Sequence, residues 1–198
     1  MTAPDGRRSR CALAALAAIV VTVTVVACAG PGRPPGRGLP PLRPAAAPAG
    51  WPRAALPGGT GVLSYPPSLH PLSGDAGTVS AARTGPSRVL QLYLNATPRQ
   101  GPETLARWAE FRVKFLRADN AARAHLDAAA QGVRFRGGTG SCVLDDYFTK
   151  IGAHHFEEIA CLVQGRTSAS VIVAAAPAAS WAKARPLLLR AVAAYQVR

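Results

Sequence analysis

Residues 141–176 read SCVLDDYFTKIGAHHFEEIACLVQGRTSASVIVAAA. Two short breaks, at Ile151-Gly152 and Gly165-Arg166, divide this stretch into three β-rich runs at 141–150, 153–164 and 167–176. Short Gly-containing connections between such runs are hairpin signals, so the segment predicts three consecutive antiparallel strands. A turn centred on Ile151-Gly152 sets Cys142 directly opposite Cys161, close enough for a cross-strand disulfide. The alternative is a pair of buried free thiols. Leu144, Ile159, Leu162, Val171, Ile172 and Val173 occupy both strand faces, so both faces of the sheet should be covered.

The same register places Asp145 opposite Glu158 and Asp146 opposite Glu157, with His154 and His155 beside them. These are four of the ten acids in the chain, and like charges facing one another destabilise a ladder unless something compensates. Asp145, Asp146, His154, His155, Glu157 and Glu158 are therefore candidate ligands for a divalent metal. They are equally candidates for a paired-carboxylate catalytic site. Alternation along a strand argues against both, because it sends neighbouring residues to opposite faces. The plainer expectation is that the acids and histidines lie toward the turn, beyond the apolar cover, in solvent or paired with arginines. No nucleophile–base–acid order is visible, and neither catalytic residue nor cofactor is expected.

Working outward, residues 78–83 (TVSAAR) and 89–96 (VLQLYLNA) read as strands, the second with Leu90, Leu92 and Leu94 on one face. Residues 62–65 (VLSY), ahead of Pro66-Pro67, read as a short edge or lead-in segment. A helix should start at Gly101-Pro102, with Leu105, Trp108, Phe115 and Leu116 on its apolar stripe. A shorter helix is expected over 121–129. The run Arg136-Gly137-Gly138-Thr139-Gly140 lacks the G-K-[ST] ending of a phosphate loop and reads as a bend between strands. Pro177 should stop the last strand. Ser180 should cap a final helix that carries Trp181, Leu188, Val192 and Tyr195 on one face, with Pro186 as a kink or effective start.

The N-terminal third is different in kind. Arg7, Arg8 and Arg10 precede seventeen uncharged residues, 11–27 (CALAALAAIVVTVTVVA). This is the layout of a secretory signal, and the apolar stretch is just short of a transmembrane helix. Its end, Val25-Val26-Ala27-Cys28, resembles the lipobox of bacterial lipoproteins, which implies lipidation at Cys28 and an anchor in the membrane. A cut after Ala29 or a retained N-terminal helix are the alternatives. Residues 29–59 hold nine Pro and seven Gly, and no acid occurs between Asp5 and Asp75. That composition predicts a disordered tether over 28–60, able to reach on the order of 100 Å. One domain is left, at 61–198.

The chain has 198 residues, 23 Lys and Arg against 10 acids, and a net charge of +13. Removing residues 1–27 leaves 20 basic and 9 acidic residues. The arginines are scattered, several lie in the tether, and no nucleic-acid motif is present, so nucleic acid is not an expected partner. Anionic lipid or acidic wall polymer suits an exported basic chain better.

The segments YLNATPRQGPETLARW, RFRGGTGSCVLDDYFTKIG, HHFEEIACLVQGR and SVIVAAAPAASWAKARPLLLRAVAAY together resemble actinobacterial exported lipoproteins of the LpqN/LpqT type, which carry PsbP-like domains. The resemblance implies an α+β fold with an antiparallel sheet sandwiched between helices. It implies an accessory or binding role in the cell envelope, on the outer face of the cytoplasmic membrane, with an envelope protein or lipid-like ligand as partner. It brings no catalytic residues. The competing expectation is a metal-dependent or hydrolytic envelope enzyme working at the acidic end of the hairpin.

Overall fold

The structure is a computed structural model, described here for residues 38–86, 88–119 and 121–198. The segment 1–27 expected as a signal, Cys28 expected as a lipidation site, and residues 29–37 of the expected tether lie outside the described residues.

Seven antiparallel strands form the main sheet: β3 (His70–Leu72), β4 (Val79–Thr84), β5 (Leu90–Pro98), β6 (Ala121–Phe135), β7 (Gly138–Thr149), β8 (His155–Gly165) and β9 (Ala169–Pro177). Their order in space is β3-β4-β5-β9-β8-β7-β6. The three strands expected from residues 141–176 are β7, β8 and β9, and the hairpin register is the one read from the turn, with Cys142 paired to Cys161. The two cysteines form a disulfide across β7 and β8 with Cα atoms 4.0 Å apart. A three-stranded sheet of β1 (Arg53–Ala55), β2 (Gly61–Ser64) and β10 (Gln196–Val197) completes the strands. Residues 62–65 therefore do not form an edge: β2 is the central strand of this small sheet.

One helix packs on each face of the main sheet, an α+β arrangement. Helix α2 (Ala178–Ala194) lies over the face carrying Leu94, Leu144, Ile159, Ile172 and the disulfide, burying Trp181, Leu188 and Val192 there, with Tyr195 just beyond its end. Helix α1 (Trp108–Asp119) lies over the opposite face, where Trp108 packs with Val143, Ala160, Leu162, Val171 and Val173. Full cover on both faces explains why β8 and β9 read as continuous apolar runs rather than alternating ones.

Four further expectations are corrected. The helix expected over 121–129 is the first part of β6, because pairing along the length of β7 outweighs the helix propensity of its alanines. The helix expected at Gly101-Pro102 starts later: Thr104 is still extended, a 3-10 turn spans Leu105–Arg107, and α1 begins at Trp108. Helix α2 starts directly after Pro177 and runs through Pro186, and the Ser180 hydroxyl donates back to the Pro177 carbonyl (3.1 Å) instead of capping.

The fourth correction concerns the tether. Residues 38–60 are packed, not free. Leu56 is buried, while Leu39, Leu42, Trp51 and Ala54 rest on the core. The Ala45 N–H donates to the Ala193 carbonyl (2.9 Å), and Arg185 donates to the Gly38 carbonyl (2.6 Å). Prolines lower the conformational freedom lost on docking, so a few apolar side chains suffice to hold the segment.

Candidate functional site

The acidic hairpin is where the sequence concentrated its chemistry. Asp145 pairs with Glu158 and Asp146 with Glu157, as the register required. Their surroundings depart from expectation. Asp145 is 0% and Glu158 1% exposed, so this pair is interior rather than solvated. The reason is the reach of α1, whose C-terminal carbonyls at Ala118 and Asp119 accept hydrogen bonds from the Lys150 ammonium at the hairpin turn (2.9 and 2.8 Å). That clasp extends helical cover as far as the acids.

The compensating charge is an arginine, as one of the two expectations had it, and it comes from α1. Trp108, Arg112 and Leu116 are its three buried side chains, spaced four apart on one stripe. Arg112 Nε donates to Glu158 Oε1 (2.9 Å), and Nη2 forms a second, shorter bond to the same oxygen. Burial pushes the guanidinium down, but the charges of Glu158 and Asp145 outweigh it and hold Arg112 above its ordinary value. No N–H or hydroxyl donates to either oxygen of Asp145, whose one hydrogen-bonding neighbour is the Glu158 carboxyl. Burial first, and then the facing Glu158 charge, raise this carboxyl well above the usual range. Tyr147, next on the same face, is also pushed up by burial and by Glu158. On the helix-N-terminal side, the Trp108 Nε1–H donates to the Ala160 carbonyl (2.9 Å) and the Ser141 hydroxyl to the Leu105 carbonyl (2.6 Å).

Asp146 and His155 lie on the other face, with His155 Nε2 3.7 Å from Asp146 Oδ1. Strand β6 contributes His125, the register partner of Asp146, and Asp127, which a bulge between Leu126 and Ala128 inserts on the same side. His125, Asp127 and Asp146 each place one ligand-type atom within 4.8 Å of the others, the one such group among the described residues. Of the six residues that the sequence offered as metal ligands, only Asp146 belongs to it. Asp145 and Glu158 are sealed under α1. Glu157 is half-buried and outside the group, and His154 is exposed in the turn, its backbone N–H bonded to Thr149 Oγ1. In the trio, His125 Nδ1 already faces Asp127 Oδ1 at 3.4 Å. The adjoining cleft is lined by Arg117 and Arg123, the wrong charge for a cation. The arrangement fits polar contacts among side chains at a sheet edge better than metal binding.

A groove of about 400 Å3 runs along the outer side of α1. Phe111, Phe115, Ala118 and Pro102 form its apolar lining, and its charged residues balance: Glu103 and Lys114, with Arg107 paired to Glu110 at 3.0 Å. Trp108, Phe111 and Phe115 stack in sequence at 5.8 and 6.1 Å, leading from the core to the surface, where Phe115 is 45% exposed. Phe115 was expected in the apolar stripe; Arg112 holds that place instead. The four-residue spacing from Trp108 to Arg112 to Leu116 was the signal for it.

No family model matches the chain, and no curated protein does. Solved structures do. The cyanobacterial PsbP protein (CyanoP) of Synechocystis superposes with a TM-score of 0.52 at 12% identity, over 75% of this chain and 92% of that one. The fold is PsbP-like. LpqN of Mycobacterium tuberculosis, described as involved in cell envelope biogenesis, gives 0.43 at 13% identity over 69% and 82%. A Bacteroides thetaiotaomicron protein gives 0.45 at 14%, and the chain, 74% of it aligned, spans 48% of that protein's length. The PsbP-like domain here supplies what the sequence resemblance led one to expect of the fold: a largely antiparallel sheet with helices on both faces.

Proposed function

We propose that this chain is an exported accessory protein of the cell envelope, of the actinobacterial LpqN/LpqT type, anchored through lipid on Cys28 and acting by binding rather than catalysis. The observation that carries the export reading is the buried Cys142–Cys161 disulfide between β7 and β8 of the main sheet, since such bonds persist in oxidising compartments. The signal-like residues 1–27 support it. LpqN, a protein described as involved in cell envelope biogenesis, supplies the analogy. The binding reading is supported by the fate of the acids. Asp145 and Glu158 are enclosed in a structural network, whereas the α1 groove offers an apolar lining with a mixed-charge rim of Glu103, Arg107, Glu110 and Lys114 to an envelope protein or lipid-like ligand. Purification from envelope membranes in mild detergent, followed by mass spectrometry of what co-purifies, tests this. The expected result is one enriched partner or amphiphile that is lost on Phe115→Glu. Recovery with no partner, or a partner indifferent to that substitution, contradicts the groove assignment.

A further inference from the structure

The buried stripe of α1 has an ion at its centre: Trp108 and Leu116 flank Arg112. Under that stripe lie two carboxyl groups and one guanidinium. Arg112 spends its bonds on Glu158, and Asp145, at 0% exposure, receives no donor from elsewhere and has only the facing Glu158 carboxyl to hydrogen-bond with. A second buried carboxylate without a counterion is costly, and a carboxyl in that position neutralises instead. The groups around Asp145 offer no other relief. Strand β6 presents Leu126 opposite it, and β9 presents Ala175 opposite Glu158. Strand β7 adds Asp146 and Tyr147, and β5 adds Tyr93 beside Tyr147, none of them a cation. Arg112 is the only cation of α1 that reaches the pair, since Arg117 bonds the Ala124 carbonyl and Lys114 is exposed.

We propose that Asp145, Glu158 and Arg112 form a one-proton clamp that holds α1 on the sheet, so that α1 is a pH-sensitive lid over the apolar face of Val143, Ala160 and Leu162. Closed, the clamp carries one proton on the carboxyl pair and is electrically neutral. Opened, Asp145 meets water, regains an ordinary acidity and releases that proton. Opening is therefore favoured as pH rises above the ordinary carboxylate range, by up to about tenfold per pH unit, the slope of one proton. Within that range the slope vanishes, because the open pair then also holds about one proton, as the closed pair does.

Hydrogen exchange of the α1 amides in the full-length chain, measured across pH and corrected for intrinsic exchange, tests the clamp. The expected result is an opening constant for residues 112–119 that rises with pH in the wild type and is flat in Asp145→Asn, which is permanently neutral. A flat wild-type profile overturns the proposal, as does an unchanged slope in the variant. Infrared spectroscopy of the wild type at neutral pH is the second measurement, independent of whether the variant folds. A protonated-carboxyl absorption, sensitive to deuterium exchange only when α1 opens, is expected; its absence also overturns the proposal.

Discussion

Arg112 and Glu158, 46 residues apart in the chain, meet at a single carboxylate oxygen, which accepts from both Nε and Nη2. The contact joins α1 to β8 and turns a ladder of facing acids, otherwise repulsive, into a docking point for a helix. Removing one partner of a buried pair strands the other charge. Arg112→Ala is expected to cost about 3–5 kcal/mol of stability. Arg112→Met combined with Glu158→Leu and Asp145→Leu should recover most of that loss, because the triple variant strands no buried charge or carboxyl. Chemical denaturation of the three proteins checks both statements.

Trp108 anchors the other end of the same helix through the bond from its indole N–H to the Ala160 carbonyl. Trp108→Phe keeps much of the apolar ring but leaves that buried carbonyl without its side-chain donor. A loss of about 1–3 kcal/mol is expected, read as a lowered denaturation midpoint with unchanged slope.

The disulfide closes a loop with a sequence separation of 19. Cys142→Ala with Cys161→Ala should destabilise the domain by about 3 kcal/mol on the chain-entropy view. The β7–β8 register does not depend on the bond, so the far-ultraviolet circular dichroism spectrum should be retained.

Tyr195 is enclosed at the end of α2, where its hydroxyl donates to Ser170 Oγ (2.7 Å). Burial pushes the phenol up to about 12, only partly offset by the Ser170 bond. The folded state thus favours the neutral phenol: its contribution is complete below the ordinary tyrosine range near 10 and is lost as pH rises toward about 12. A difference ultraviolet titration of wild type against Tyr195→Phe should show the missing ionisation near that upper value, together with alkaline unfolding.

The β7–β8 hairpin was legible because a glycine turn and strict alternation fix register together, and the cysteines mark it. Strand β6 was not, because a run of alanines reads as helix when its partner strand is out of view. Arg112 was hidden by its charge: a cation in an apolar stripe looks like an interruption, and only the acids across the sheet explain it. The acids themselves were read correctly as a facing pair, and of the two surroundings expected, solvent or arginine, Glu158 has the second; that the pair is buried was not legible, since nothing in residues 141–158 says how far α1 reaches. The packed segment 38–60 was obscured by its proline and glycine content, although Leu39, Trp51 and Leu56 were sufficient to dock it.

The central claim, an exported and lipid-anchored domain, is tested most directly by intact mass spectrometry of the mature protein under non-reducing conditions. The account predicts a chain beginning at a diacylglyceryl-modified Cys28, recovered with the membrane and carrying the Cys142–Cys161 bond. An unmodified start at Gly30 would contradict the anchor. A chain retaining Met1 with both thiols free would contradict export altogether.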